Sequence, residues 1–241
     1  NSTGYGLTFG VHTRIDETVQ RVTTRARVGN LYVNRNIVGA VVGVQPFGGE
    51  GLSGTGPKAG GPLYLLRLLS VRPADLPTWA DLKQGLPVML PLPGPTGESN
   101  TYQLWPRGTV LCAAQTEVGA QAQWQTVQAT GNGIALVDTP AARNFLGSMP
   151  ESARSEAQLV QLDALDGHEF DAVLFEGDSD ALRELNQRLA AREGPIVSVQ
   201  GLSTEALRNG AQYYPDGLLL ERSLSVNTAA AGGNANLMTI G

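Results

Sequence analysis

Strand and helix patterns alternate along most of this 241-residue chain and predict an α/β fold. Three observations carry that class. A strand, helix, strand pattern opens the chain; the same alternation resumes near Thr109 and runs to Asn209; and stretches rich in glycine and proline lie between these patterns rather than inside them.

Taken in order, residues 5–11 read as a strand. Residues 16–26 read as a helix, with Val19 and Val22 three apart on one face, and Gly29 is a suitable helix stop before a strand around Leu31 and Val33. Val38, Val41, Val42 and Val44 favour extended chain, while Gly39, Gly43 and Pro46 forbid a long helix. Residues 36–49 therefore read as a strand end, a glycine-bounded loop and a return. Because Gly39 and Gly43 carry no Cβ, the loop can bring backbone N–H groups close to a ligand, and an anion would suit it. Residues 62–72 form an apolar run ending in β-branched Val71 and read as a strand, with a buried core strand or a helix end as the alternative. Prolines at 73, 77, 87, 91, 93 and 95 suppress both helix and ladder bonds, so residues 74–101 read as a surface linker.

Beyond the linker, strands are expected at 109–114, 133–137, 172–175 and 196–199. Helices are expected at 120–129, 152–165, 179–192 and 204–209. Such alternation implies a parallel sheet with helices packed on it, a small Rossmann-like domain over residues 102–222. Residues 223–241 form an extended tail of mostly small residues. Within it Leu224-Ser-Val-Asn227 echoes Leu31-Tyr-Val-Asn34, as if the tail completed a strand of the same kind, though so short an identity also arises by chance.

Composition excludes several classes. Hydrophobic residues make up 41% of the chain, enough for ordinary cores, and a net charge of −5 without a Lys/Arg cluster argues against nucleic acid as a partner. No apolar run approaches the roughly 20 residues of a membrane-spanning helix. The single cysteine excludes an internal disulfide and fits the cytosol.

The runs Gly29-Asn-Leu-Tyr-Val-Asn34, Ile37-Val-Gly-Ala-Val-Val-Gly-Val-Gln-Pro-Phe-Gly-Gly49 and Ser53-Gly-Thr-Gly-Pro-Lys-Ala-Gly-Gly-Pro62 resemble the aldehyde dehydrogenases that act on glutamate semialdehyde in proline breakdown. The ending Glu221-Arg-Ser-Leu-Ser-Val-Asn-Thr228 and the small residues after it resemble the closing motif of the bifunctional proline utilization A flavoenzymes. The resemblance implies that residues 1–73 are the end of an aldehyde dehydrogenase catalytic domain, and that the chain is the C-terminal part of a longer cytoplasmic protein. Any peripheral membrane contact would be left to the parent's flavin domain. NAD would then be bound by the parent's catalytic domain and FAD by its proline dehydrogenase domain, both outside this segment. Residues 62–73 would pair across a subunit boundary in a homo-oligomer, and the tail would help enclose a passage between two active sites. Pro106-Arg-Gly-Thr-Val-Leu-Cys112 and Ala129-Thr-Gly-Asn-Gly-Ile-Ala-Leu-Val137 are similar to the opening of the family's cofactor domain, as a shortened copy. Thr116 stands where the oxyanion-hole Asn is expected and Val137 where a ribose-binding Lys is expected, so this copy should bind no dinucleotide.

In the resembled family a cysteine thiolate attacks the aldehyde, hydride leaves to NAD and water releases the acid. Cys112 lies inside an apolar strand with no nearby cation, so it reads as a structural thiol. No catalytic residue is therefore assigned to this chain, which alone should be inactive; nucleophile, base and cofactor site are expected before Asn1. What the chain is expected to bring is substrate choice. By resemblance, Gly39 and Ala40 form an anchor loop whose amides hold the α-carboxylate of glutamate semialdehyde, and Phe47 packs on its methylenes. The competing readings are an ordinary surface turn for the first two and a simple core residue for Phe47. Hydrogen bonds to a charged group contribute roughly 1.5–3 kcal/mol each, so two would give a preference of a few hundredfold or more. Gly49-Glu-Gly-Leu-Ser-Gly54 matches the G-x-G-x-x-G spacing, but Pro46 upstream and Gly56-Pro57 downstream leave no helix to face a pyrophosphate. Ser53 and Lys58 read as loop-packing residues, His12 and His168 lack partners at metal-ligand spacing, and Asp178 and Asp180 read as helix-capping. A non-catalytic assembly module remains the alternative to the enzyme fragment.

Overall fold

A computed structural model of the chain describes residues 1–73, 86–161, 165 and 167–229. It divides into two compact units, one of residues 1–77, 87–105 and 220–241, the other of residues 78–86 and 106–219. The expected boundary at 222–223 thus differs from the observed one, because the returning strand belongs to the first unit.

In the first unit, β1 (Tyr5–Gly6) pairs antiparallel with β4 (Glu50–Gly51), and β2 (Thr8–Val11) leads into helix α1 (Asp16–Arg25). Strand β3 (Asn30–Val33) lies parallel to β2 and is buried along its whole length. Its other neighbour is β12 (Leu219–Asn227), again parallel, with Leu224 opposite Leu31 and Val226 opposite Val33. The two echoing segments of the sequence are therefore register partners in one sheet. The sheet is completed by β6 (Glu98–Pro106) and β5 (Val88–Leu92), in the order β2-β3-β12-β6-β5.

Two expectations fail in this unit. The apolar run at 62–72 is not a strand but a helix, α2 (Pro62–Leu68), so no oligomerisation strand exists at residues 62–68. Pro62 at the first helical turn presets φ without sacrificing a needed N–H, and the leucines, Tyr64 and Arg67 tolerate helix; the β-branched Val71 falls beyond it. The proline-rich linker is in part an antiparallel hairpin of β5 and β6. Pro91 is accommodated because β5 is the edge strand, where a missing N–H interrupts no second ladder. The remainder of the expected linker, residues 74–85, lies outside the described residues, as does the tail from 230 onward.

The second unit is a parallel sheet of β7 (Thr109–Ala113), β8 (Gly133–Val137), β9 (Ala157–Val160), β10 (Ala172–Glu176) and β11 (Ser198–Leu202), in the order β11-β10-β7-β8-β9. Numbered along the unit, that is 3-2-1-4-5 read from β9, the order of a doubly wound Rossmann sheet. Period-two alternation sends Val110, Cys112, Ile134, Leu136, Ala172 and Leu174 to one core, with Trp124, Val127, Leu146 and Tyr213. The intervening residues Leu111, Ala135, Val173 and Phe175 enter a second core with Leu185 and Leu189. Helices α3 (Glu117–Ala129), α4 (Pro140–Gly147) and α7 (Thr204–Arg208) supply the first core, and α6 (Ser179–Ala190) the second. Each helix start carries a side-chain cap: Thr116, Thr139, Asp178 and Ser203 accept bonds from the first-turn amides of α3, α4, α6 and α7.

The expected helix at 152–165 is only α5 (Glu151–Arg154), followed by β9. Ser155 closes the turn onto Glu151 and Ser152, and Ala157–Val160 pairs with β8 as the outer strand. Helix α4 was not expected.

Candidate functional site

The loop after β3 sits on a buried polar base. Gln45, 2% exposed, accepts a hydrogen bond from the Val41 N–H at 2.9 Å, and its side-chain amide donates to Glu98, Asn100 and Ser225. Arg35 donates to the Glu98 carboxylate at 2.6 Å and to the Ser225 hydroxyl at 2.8 Å, and its guanidinium lies 5.1 Å from the centre of the Tyr32 ring. Residues from β3, β6 and β12 thus converge under residues 36–45. The main chain closes the turn with Val44 and Gln45 N–H both donating to the Val41 carbonyl.

Gly39 lies exposed on this turn with φ +79°, a left-handed conformation that glycine adopts without strain, and a Cβ there would meet nothing within 4 Å. Ala40 is half-buried. Among the described residues neither the Gly39 nor the Ala40 N–H has a protein acceptor, so both donors are available to a ligand.

The return of the loop is fixed by a second cluster. Phe47 forms an isolated antiparallel bridge with Ala59, each amide donating to the other's carbonyl, while the residue stays 37% exposed. Phe47 is therefore not a simple core residue. On either side of it, Pro46 O accepts from Asn30 Nδ2 and the Ser223 hydroxyl, and the Gly48 N–H donates to Asn30 Oδ1. Lys58, 2% exposed, reaches in with its ammonium to Asn30 Oδ1 and the Gly48 carbonyl. Burial pushes the Lys58 pKa down to about 7, against the opposing attraction of Glu221 and Glu50. Glu221 in turn accepts from the Lys58 backbone N–H and from Tyr102 Oη, both at 2.7 Å. Arg222 makes a buried two-bond pair with Glu50, at 2.9 and 3.0 Å, and lies 4.9 Å from the Trp105 ring centre.

Gly39, Ala40 and Phe47 thus lie on one glycine-rich excursion between β3 and β4, held at both feet. Sequence reasoning missed Gln45, Asn30, Arg35, Glu98 and Ser225, whose roles depend on contacts far apart along the chain. Lys58 is a packing residue, as expected. The G-x-G-x-x-G run lies in β4 and the turn after it, with α2 starting only at Pro62, so no helix opens on its last glycine. Cys112 is fully buried in β7, and burial raises its thiol pKa far above the thiolate range. His12 is exposed and His168 half-buried; among the described residues no cluster of His, Cys, Asp or Glu could hold a metal ion. No described helix is long and apolar enough to cross a membrane.

These features define an α/β chain whose first unit matches the aldehyde dehydrogenase family over residues 1–72. Along its whole length the chain corresponds to the C-terminal part of the proline utilization A proteins. It is 49% identical to the bifunctional protein PutA of Escherichia coli across 100% of this chain and 21% of that protein. With the PutA of Rhizobium meliloti it is 45% identical across 100% of the chain and 22% of the relative. The chain thus spans about a fifth of the length of these relatives. A 1-pyrroline-5-carboxylate dehydrogenase of Bacillus licheniformis is 54% identical over 65 residues, 27% of this chain and 13% of that one. In fold, the chain is similar to proline utilization A from Corynebacterium freiburgense, with a TM-score of 0.60 over 94% of this chain and 23% of that chain at 22% identity.

Proposed function

We propose that this chain supplies the substrate-selecting end of an NAD-dependent dehydrogenase that oxidises L-glutamate γ-semialdehyde to glutamate in proline catabolism, as part of a longer bifunctional flavoprotein. The observation that carries the reading is the loop at 36–47, which rests on a hydrogen-bonded polar base and presents an exposed Phe47 and two adjacent amides that have no protein acceptor among the described residues. Gly39 and Ala40 donate to the substrate's α-carboxylate, and Phe47 covers its methylenes. Donors held in place before binding discriminate well, because a substrate lacking the carboxylate leaves them unpaired. The names of the PutA and pyrroline-carboxylate dehydrogenase relatives support the substrate class. NAD and the reacting cysteine belong to the remainder of the catalytic domain, and FAD to a proline dehydrogenase domain. The second unit and the tail enclose the passage between the two sites.

The test is Ala40→Pro in the longer protein, which deletes one donor. Semialdehyde turnover should fall at unchanged oligomeric state; unchanged kinetics would refute the anchor role. A second reading draws on α2, which leaves Tyr64, Leu65 and Leu68 exposed. In that reading the segment is an assembly module without a part in substrate choice, and the same variant would leave turnover intact while Leu65→Asp and Leu68→Asp disrupt assembly.

A further inference from the structure

In a 3-2-1-4-5 sheet, ligands bind where the winding reverses, outside the carboxyl ends of strands 1 and 4, with an anionic group against the N-terminus of the first helix. Here that place lies between the ends of β7 and β10 and the start of α3. It is occupied by the protein itself. Glu176, the last residue of β10, has no exposed surface. Its Oε2 accepts from the Gln115 and Thr116 backbone N–H groups, each at 2.8 Å, and its Oε1 accepts from the Thr116 and Thr204 hydroxyls, each at 2.8 Å. The carboxylate fills the space so closely that a Cβ added to Gly119 in the first turn of α3 would lie 1.9 Å from Oε2. The residues of this crevice therefore do not fit a bound dinucleotide.

We propose that Glu176 is the resident anion of the switch-point crevice, an internal ligand that takes the position of a phosphate and closes the second unit to dinucleotides and other phosphate esters. Two backbone amides at a helix start and two hydroxyls form a donor set suited to a phosphate oxygen, and a single carboxylate satisfies all of it. The unit keeps the sheet order of a cofactor domain while its anion position serves to tie β10 to the β7–α3 turn and to Thr204 of α7.

The inference is tested on the full chain by following the Gln115 and Thr116 amides by NMR and hydrogen exchange during titration with inorganic pyrophosphate and with NAD. These local probes are unaffected by any cofactor site elsewhere. In the unsubstituted chain neither amide should respond at millimolar ligand. In Glu176→Ala, exchange at both amides should accelerate by about tenfold or more, the melting temperature should fall, and pyrophosphate should restore part of both. A response of the two amides in the unsubstituted chain overturns the proposal, as does a Glu176→Ala chain whose amides are unchanged or whose vacated donors ignore pyrophosphate. Should that variant fail to fold, Glu176→Ser, whose short hydroxyl leaves both amides vacated while keeping a polar group at the end of β10, is read by the same criteria. Should neither fold, the titration of the unsubstituted chain decides.

Discussion

Lys58 places its side-chain nitrogen at the base of the loop at 36–47 with almost no access to water, and its bonds to Asn30 and Gly48 hold the segment that carries Phe47. Its pKa falls from 10.5 to about 7 on folding, so between these values the unfolded chain binds more protons than the folded one. By linkage this site makes stability increase with pH from about 7 toward 10, and the contribution is lost as pH drops through 7. Lys58→Met should flatten that part of the profile. The difference between the urea midpoints of the two chains, followed from pH 7 to 9.5, isolates the effect, because the buried Cys112 and Tyr102 titrate alike in both. At Gly119, alanine would normally favour a helix by about 1 kcal/mol. Here its methyl group displaces the Glu176 carboxylate, so Gly119→Ala should destabilise the chain by about 1–3 kcal/mol in urea denaturation. A stabilised variant would show that Glu176 can move aside at little cost.

Strand β12 lies in the middle of the first sheet, between β3 and β6, and its Arg222 makes a buried ion pair with Glu50. Removing one member of a buried pair leaves the other charge without compensation, at a cost of about 3–5 kcal/mol. Arg222→Met should therefore lower stability by that amount and expose residues 219–229 to proteolysis, while adding Glu50→Leu should recover much of the loss. Elements such as β12 also mark what the sequence discloses. Strands β7, β8 and β10 and helices α1, α3 and α6 were legible because their apolar periods are local. The Leu224-Ser-Val-Asn227 echo pointed to a strand in the tail, and its pairing with β3 is seen only in the folded sheet. By contrast, α2 was read as a strand because an unbroken apolar run has no period, although Pro62 at its start was a usable helix signal. The Thr139-Pro140 cap of α4 was a similar missed sign. Hairpin β5–β6 was hidden by prolines that only an edge position explains, and β9 by a polar, exposed face that alternates weakly.

At the scale of the whole chain, the path leaves the first sheet at the end of β6, builds a complete doubly wound domain and returns through β12. The two ends of this excursion are neighbours in one sheet order, β12 beside β6. Truncation after Leu218 should therefore open β3 and β6 as unpaired edges and make the chain aggregate, with the parallel sheet of the second unit retaining its secondary structure by circular dichroism. The loop at 36–47 depends on the same return, since Ser225 accepts from Arg35 before the loop and from Gln45 near its end, and Ser223 donates to Pro46. Its position was legible from glycine and proline placement, but the polar base under it was not, because Gln45, Glu98 and Ser225 come together only in the folded sheet.

The most direct measurement compares kcat/KM for glutamate semialdehyde with that for an aldehyde of equal length lacking the α-carboxylate, in the longer protein and in its Ala40→Pro variant. Losing one donor to the carboxylate should reduce the preference for the semialdehyde by roughly 10- to 150-fold while sparing the plain aldehyde. An equal effect on both aldehydes, or none on either, would contradict recognition of the carboxylate by the Gly39 and Ala40 amides.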